Sequence, residues 1–402
     1  MQKILINKEK IKNFNKTIRV SGDKSLSIRW ILIASLASGI SRSRNLLISE
    51  DVLAAIQAIK KLGIKIILNN KECKIYGKGL NGYKYKKNII INAKNSGTLA
   101  RLLPGLLINS THKIKIIGDE SLSKRDFKRI AEPLNKFGAD LSLKENNKLP
   151  MIINGLKNPK PIKYYENRGS AQCKSSVIFA GIRTNGTTLI KAKKSRNHTE
   201  LLCNHLKIPI TVTKKKEFDI IKVKKAKKIK SFNYNIPSDI SSSAFFMVLT
   251  SLSKNSSLKI KNVNINPSRT GIISILKKMG VQIIFENKKT YKGEKIANIK
   301  IKSPKKLKAI NCPTKFNTSA IDEFLVIFLV AAKANGVSFF KNLSELNKKE
   351  SPRLKWGSKI LNFMGVKTIT TENSIKIFGN PNLKLNKKIV IKNYRKDHRV
   401  FM

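Results

Sequence analysis

Cysteine is scarce in this 402-residue chain, which has only four, and no two of them form a C-x-x-C pair. This spacing excludes a disulfide-rich secreted domain and the common zinc motifs. Long apolar runs are also missing, since no stretch approaches the roughly 18 uncharged residues that a membrane-spanning helix requires. Charges at Lys3, Lys8, Glu9 and Lys10 interrupt any apolar region of a signal peptide. The sequence therefore predicts a soluble, cytoplasmic protein.

Acidic residues are few: 24 Asp and Glu oppose 82 Lys and Arg, which gives a formal charge of +58. Such a charge is compatible with a nucleic-acid-binding protein, an enzyme for anionic substrates or a general lysine bias. Lysine is spread over the whole chain, and its densest stretch, 214–230, lacks the interleaved aromatic side chains that stack bases. The 14 arginines are more selective. Half of them lie in short polar or glycine-containing segments, where a planar guanidinium suits a carboxylate or phosphate.

An internal repeat runs along the chain. An amphipathic helical stretch ends at a glycine and an alternating strand follows, at Gly63, Gly138, Gly280 and Gly365, and a weaker copy has Lys207 in the glycine position. Glycine just after a helix adopts the left-handed conformation that ends it. The period of roughly 70 to 85 residues exceeds that of common solenoids and favours a repeated α+β unit. A sixth copy would fall beyond the last residue, so we expect the sixth unit to be incomplete.

Four polar segments that begin or adjoin predicted helices carry hydroxyl, amide and cationic side chains. Helix N-termini bind anions through free N–H groups and the helix dipole, so the four segments together indicate a ligand with several negative charges. Each segment alone is more typical of an ordinary helix cap. The segments are 21–29, 95–101, 118–125 and 169–176.

Later segments also carry charges with two possible roles. Ser319 and Asp322 precede the most apolar predicted helix, 324–332, and their spacing matches a capping box. Alternatively, Asp322 is a general base that accepts a hydroxyl proton in a cationic cleft. The segment 345–353 alternates charges before another predicted helix, and Asp397, His398 and Arg399 lie near the end of the chain.

The motifs occur in a recognisable order between Ser21 and Arg399. They are SGDKSLSIR, NSGTxxR, GDESLxKR, GSAQCKS, SRNHTE, PSDISSSAFF, NPSRTG, AIDEF, KESxR and DHR. With this set, the chain resembles the 5-enolpyruvylshikimate-3-phosphate synthases, or 3-phosphoshikimate 1-carboxyvinyltransferases. The form Ser-Ala-Gln-Cys-Lys-Ser resembles the second class of these enzymes, which are often tolerant of glyphosate.

The resemblance implies a fold and a reaction. The fold is α+β (α/β in some schemes): a two-domain enolpyruvyl transferase, or inside-out α/β barrel, built from βαβαββ units. Residues 21–237 would form one domain, mainly on the 3-phosphoshikimate side, and 1–20 plus 238–402 the other, with its last unit incomplete. The reaction moves the enolpyruvyl group of phosphoenolpyruvate to the 5-hydroxyl of 3-phosphoshikimate and releases phosphate, in the shikimate pathway of chorismate and aromatic amino-acid biosynthesis. No cofactor, metal, specific nucleic acid or membrane is expected. The protein is expected to be a monomer.

Site residues follow from the same resemblance. Catalysis is assigned to Asp322 as the base for the 5-hydroxyl, and to Glu350 and Lys24 as proton donors or relays. Contacts with 3-phosphoshikimate are expected from Lys24, Ser25, Arg29, Ser170, Ala171, Gln172, Arg196, Asp322 and Lys349. Contacts with phosphoenolpyruvate are expected from Lys24, Gly97, Arg125, Gln172, Arg353 and Arg399.

Several positions depart from the family pattern. Ile28 replaces the usual His or Asn, Pro352 replaces an Asp, and Phe401 replaces an Ala. The family also continues past the Asp-His-Arg motif with a further helix and a lysine near phosphoenolpyruvate, so a fragment or an impaired protein is expected. Three alternatives stay open: a degenerate inactive member, a UDP-N-acetylglucosamine enolpyruvyl transferase of the same fold, and a basic nucleic-acid-binding protein. None of the four cysteines fits the loop position of the second alternative.

Overall fold

A computed structural model describes residues 12–70, 72–349 and 351–384, and the described chain forms two compact units. The first unit comprises 21–239 together with 290–295. The second unit comprises 12–20, 240–289 and the described residues from 296 onward. Within the described ranges, no helix is both long and apolar enough to cross a membrane.

The first unit contains three four-stranded sheets and their helices. Its helices are α1 (Lys24–Ser35), α2 (Glu50–Lys61), α3 (Gly97–Leu106), α4 (Glu120–Ser123), α5 (Lys128–Asn135), α6 (Ala171–Gly181) and α7 (His198–His205). Its strands are β2 (Ser38–Arg44), β3 (Lys65–Leu68), β4 (Glu72–Lys78), β5 (Ile89–Asn92), β6 (Ile114–Ile117), β7 (Asp140–Lys144), β8 (Lys148–Asn154), β9 (Lys163–Glu166), β10 (Thr187–Lys193), β11 (Ile210–Lys214), β12 (Phe218–Lys224) and β13 (Tyr234–Asn235).

The three sheets of the first unit share one topology. Their strand orders are β13-β2-β4-β3, β5-β6-β8-β7 and β9-β10-β12-β11. In each sheet the first two strands are parallel and the remaining neighbours are antiparallel. The two later sheets follow the predicted βαβαββ chain order. In the remaining sheet, the two-residue strand β13 supplies the first position from the far end of the unit, with Tyr234 opposite Ser43.

The second unit has two described sheets. Its helices are α8 (Ile240–Leu252), α9 (Gly271–Lys278), α10 (Asn317–Ala320), α11 (Phe324–Ala332) and α12 (Arg353–Phe363). Its strands are β1 (Asn15–Ile18), β14 (Ser257–Asn264), β15 (Gln282–Tyr291), β16 (Glu294–Lys302), β17 (Gly336–Phe340), β18 (Thr368–Thr370) and β19 (Ile375–Gly379). The sheet orders are β1-β14-β16-β15 and β17-β19-β18. In the smaller sheet, two isolated parallel bridges lie where the other sheets have their first strand. They pair Lys308 with Asn335, just before β17, and Asn311 with Phe339 in β17.

The central helices are buried on every side. All residues of α1 from Leu26 to Ser35 are buried, and α3 is buried except for Thr98. A helix that is apolar all round is stable only where neighbours cover each face. The apolar run Phe324–Ala332 forms α11 within the boundaries that the sequence predicts. Two hydrophobic cores result, one in each unit.

The predicted helix-ending conformation is confirmed at every described copy of the repeat. Gly63, Gly138, Gly280 and Gly365 have φ between 80° and 95°. Lys207, in the weaker copy, also has a positive φ of 56°, which costs a side-chain-bearing residue free energy that glycine avoids. Five repeated units are therefore described. The expectation of an incomplete sixth unit falls on 385–402, outside the described residues.

Candidate active site

Side-chain caps hold the N-termini of the three central helices of the first unit. Asp23 Oδ1, Ser96 Oγ and Ser170 Oγ each accept a hydrogen bond from the backbone N–H three residues later, at 2.9, 3.3 and 3.3 Å. These caps fix where α1, α3 and α6 begin. The remaining N–H groups of each first turn, with the helix dipole, favour an anion at that end.

Hydrogen bonds between helices show that these N-termini lie at the same end of the unit. Arg29 Nη2 in the second turn of α1 donates to Ser175 Oγ in the second turn of α6, at 3.2 Å. Arg101 Nη1 in α3 donates to Gln172 Oε1 in the first turn of α6, at 3.0 Å. Since each contact joins residues near helix starts, three positive helix ends lie side by side. This arrangement suits a ligand with several negative charges.

Arg29 is buried and fully oriented by the protein. Its Nε donates to Thr199 Oγ1 at 2.7 Å, and its Nη1 donates to the Ser25 carbonyl at 3.0 Å. Burial lowers the pKa of Arg29 to about 10, while Glu200 and Asp23 oppose that shift. The guanidinium group therefore stays charged at neutral pH and is held in one orientation.

A second group of donors surrounds Gly97 at the start of α3. A Cβ atom at this position would lie 2.8 Å from Arg101 Nη1 and 3.0 Å from Arg125 Nη1. Arg125 Nη2 donates to Asn95 Oδ1 at 2.9 Å, and Gln172 Nε2 donates to a hydroxyl of α3 at 3.1 Å. Two guanidinium groups thus approach the same piece of backbone, and only glycine leaves room for both.

The other site residues predicted in the first unit lie at helix starts. Lys24 is the first residue of α1, and its Nζ lies 3.5 Å from Asp51 Oδ2. Ala171 is the first residue of α6, directly after the capping Ser170. Arg196 lies just before α7, and its positive charge lowers the pKa of Arg29.

The second unit holds a separate charged cluster around Asp322. Its Oδ1 lies 3.6 Å from Lys349 Nζ and 3.6 Å from Arg353 Nη1. Arg353 is buried at the start of α12, whereas Lys349 and Asp322 are partly exposed. The structure therefore groups three of the predicted residues. The predicted Glu350 and Arg399 lie outside the described residues.

The capping box at Ser319 is wrong. Ser319 lies inside the short helix α10, and its hydroxyl donates to the Phe316 carbonyl at 3.1 Å. Helix α11 begins at Phe324 without a side-chain cap. A capping box requires an extended backbone at its first residue, and a helical turn at Ser319 removes that geometry. The capping explanation for Asp322 is thereby excluded.

Sequence reasoning left several polar residues without a role. Thr199 and Ser175 hold Arg29, and Arg101 holds Gln172. Thr199 lies in the SRNHTE motif, Ser175 in GSAQCKS and Arg101 in NSGTxxR. Their place in motifs that hold predicted site residues is the feature of the sequence that could have indicated these roles. In the second unit, the hydroxyl of Ser241 bonds both Glu323 and Arg269 in a buried network that no local pattern indicates.

Comparisons with solved structures define the class of protein. The chain matches an EPSP synthase from Acinetobacter baumannii with a TM-score of 0.82 and 37% identity, over 92% of this chain and 82% of that one. It also matches the enolpyruvyl transferase NikO from Streptomyces tendae with a TM-score of 0.67 and 13% identity, which shows likeness of fold alone. The fold is that of the enolpyruvyl transferases.

The family follows from the sequence comparisons. The family model for EPSP synthase (3-phosphoshikimate 1-carboxyvinyltransferase) matches residues 8–402. The 3-phosphoshikimate 1-carboxyvinyltransferase of Hydrogenovibrio crunogenus is 39% identical over 365 residues, which is 90% of this chain and 82% of the relative. That of Ruthia magnifica is 39% identical over 386 residues, 96% of this chain and 86% of the relative. The chain belongs to the EPSP synthase family, and the nucleic-acid-binding alternative is not favoured.

Proposed function

We propose that the chain transfers the enolpyruvyl group of phosphoenolpyruvate to the 5-hydroxyl of 3-phosphoshikimate and releases phosphate. The observation that carries this proposal is the set of three capped helix N-termini with Arg29, Arg101 and Gln172 between them. Both substrates carry a phosphate and a carboxylate. Aligned N–H groups and oriented guanidinium groups supply charge-assisted hydrogen bonds to such ligands. Family membership gives the chemistry of the two substrates.

The first unit provides most of the proposed contacts with 3-phosphoshikimate. Arg29 has five N–H groups, and three of them donate to described residues, so among these residues one N–H on each terminal nitrogen is left for a phosphate or hydroxyl oxygen. The other proposed contacts are Lys24, Ser25, Ser170, Ala171, Gln172 and Arg196 from this unit, with Asp322 and Lys349 on the ring hydroxyls.

Phosphoenolpyruvate is proposed to lie against the backbone at Gly97. Arg125 is close to this glycine, and Gln172 is tied to the same helix start through Arg101. Glycine permits the close approach of an anion to the helix N-terminus. Lys24, Arg353 and Arg399 complete the proposed set of cationic contacts.

Asp322 is the proposed base. The 5-hydroxyl gives its proton to Asp322 as its oxygen bonds to C2 of phosphoenolpyruvate, while C3 gains a proton, so a tetrahedral intermediate forms. Loss of a proton from C3 and cleavage of the C2–O bond to phosphate then restore the double bond and release inorganic phosphate. Lys349 and Arg353 hold the Asp322 carboxylate in place from 3.6 Å each. Lys24 and Glu350 are the proposed proton donors or relays for the enol carbon and the leaving phosphate. Positioning and proton transfer together supply most of the proposed rate enhancement.

The organisation of the chain is also proposed from its family. Residues 21–237 form the domain that binds mainly 3-phosphoshikimate, and 1–20 with 238–402 form the other. The chain acts as a monomer in the cytoplasm. Light scattering on a gel-filtration column gives a mass of about one chain, 45.2 kDa, if the monomer is correct.

Steady-state phosphate release tests the function. Release is expected only with both substrates present, and Asp322→Asn lowers kcat by roughly 100- to 10,000-fold, as for loss of a general base. A change of Asp140 to Asn, on strand β7 in the first unit, leaves kcat unchanged and controls for loss of an acidic residue. Equal turnover by Asp322→Asn and the wild type contradicts the assignment of the base. No release by the wild type contradicts the function.

A further inference from the structure

A buried ion pair lies beside the proposed site without a role in it. Lys174 Nζ is 2.6 Å from Glu200 Oε1, and the two side chains are 0% and 3% exposed. Within the described residues, Glu200 Oε2 is also buried and has no hydrogen-bond partner. Removing two charges from water costs several kcal/mol per ion, so such a pair is weak evidence for added stability. A specific structural task is the better explanation.

The pair joins the two helices that hold Arg29. Lys174 precedes Ser175 on α6, and Glu200 follows Thr199 on α7. The two hydroxyls lie 2.7 Å apart, and both accept hydrogen bonds from Arg29. The ion pair therefore connects α6 to α7 at the level where the hydroxyls meet the guanidinium group.

Glu200 also balances the charge of Arg29. Among the charged groups that act on this arginine, Glu200 has the largest effect and favours the guanidinium cation against the cost of burial. Removal of the carboxylate would leave Lys174 buried without its partner, and Asp23 and Glu294 as the acidic groups that act on Arg29. A shift of α6 against α7 to relieve the unpaired Lys174 would move the hydroxyls that fix the direction of Arg29.

We propose that Lys174 and Glu200 are positioning residues, which hold Ser175 and Thr199 so that Arg29 presents its two remaining N–H groups to 3-phosphoshikimate. This inference rests on the proposed function. Neither residue touches a substrate. Its effect is expected mainly on 3-phosphoshikimate, because the residues next to the pair, Ser175 and Thr199, bond Arg29 directly.

Kinetics with Glu200→Gln test the proposal. The KM for 3-phosphoshikimate is expected to rise at least about tenfold, while the KM for phosphoenolpyruvate stays within about twofold. Glu132→Gln is the matched control, because Glu132 pairs with Lys128 at 3.7 Å on the surface. This control is expected to leave both KM values unchanged. Equal changes in the two KM values for Glu200→Gln, or none, overturn the proposal.

A double-mutant cycle with Arg29→Ala distinguishes an effect of Glu200 through Arg29 from a general disturbance of the structure. If Glu200 acts through Arg29, Glu200→Gln adds less than about twofold to the KM for 3-phosphoshikimate in the Arg29→Ala background. A further tenfold rise in that background contradicts the proposal. Should Glu200→Gln fail to fold, Lys174→Met/Glu200→Gln removes both charges together and leaves no buried unpaired ion. This double variant is expected to fold and to show the same selective rise.

Calorimetric titration of 3-phosphoshikimate separates this inference from the proposed function. A wild type that binds 3-phosphoshikimate and turns over, with a Glu200→Gln variant of equal affinity, overturns the positioning role alone. A wild type that binds no 3-phosphoshikimate overturns both. Weaker binding by Glu200→Gln, with a thermal midpoint near that of the wild type, supports the inference.

Discussion

Substitution of Gly97 by alanine tests the geometry at the start of α3. The new Cβ atom would lie 2.8 Å from Arg101 Nη1 and 3.0 Å from Arg125 Nη1, several tenths of an ångström too close. Arg101 is buried against the Phe127 ring and bonded to Gln172, so it cannot move freely. Arg125 is only partly buried, and we expect its guanidinium group to shift.

The expected loss follows from one charge-assisted hydrogen bond, worth about 1.5 to 3 kcal/mol. The KM for phosphoenolpyruvate should therefore rise roughly 10- to 100-fold in a phosphate-release assay, with a much smaller change for 3-phosphoshikimate. The helix preference of alanine over glycine, about 0.5 to 1 kcal/mol, offsets only part of the cost of displacing Arg101, so the comparison of the two KM values and not the stability is the test. Gly365→Ala, in the second unit, is the control and should leave both KM values unchanged. An unchanged KM for phosphoenolpyruvate in Gly97→Ala would refute this account of the site.

Three further predictions concern stability and thiol chemistry. Gly365→Ala should lower the free energy of unfolding, measured by chemical denaturation, by about 1 kcal/mol, because the φ of this residue is 80°. Gly63→Ala should lower it several times more, because the new Cβ atom would also lie 2.2 Å from a backbone oxygen. Equal costs would contradict the packing around Gly63. Lys207→Gly should raise the free energy of unfolding by about 0.5 to 1 kcal/mol by relieving a positive φ, and a decrease would count against it. Burial raises the pKa of Cys73 to about 12 and of Cys312 to about 11, so native protein at pH 8 should resist alkylation that denatured protein undergoes. Labelling at equal rates in both states would contradict that burial.

Local signals predicted much of the fold. The glycines of the repeat have the left-handed conformation, and the apolar run 324–332 is a helix with those boundaries. Such features depend on a few adjacent residues, which the sequence displays directly. The capping box at Ser319 failed because a neighbouring helical turn, α10, took that residue. Competition between adjacent elements is not visible in a four-residue pattern.

The features that the sequence did not predict depend on contacts between residues far apart along the chain. Strand β13 joins its sheet beside β2, almost the whole unit away along the chain. Lys174 and Glu200 are charged and would be expected at the surface, yet they are buried against each other. The acceptors Thr199 Oγ1 and Ser175 Oγ reach Arg29 from two other helices. Only the packing of α1, α6 and α7 brings these groups together.

Phosphorus NMR of the reaction mixture tests the central claim most directly. With phosphoenolpyruvate and 3-phosphoshikimate both present, the phosphoenolpyruvate signal should decrease as inorganic phosphate and one new phosphate monoester appear in equal amounts. With either substrate omitted, the spectrum should not change. Phosphate released from phosphoenolpyruvate alone, or no reaction with both substrates, would contradict enolpyruvyl transfer by this chain.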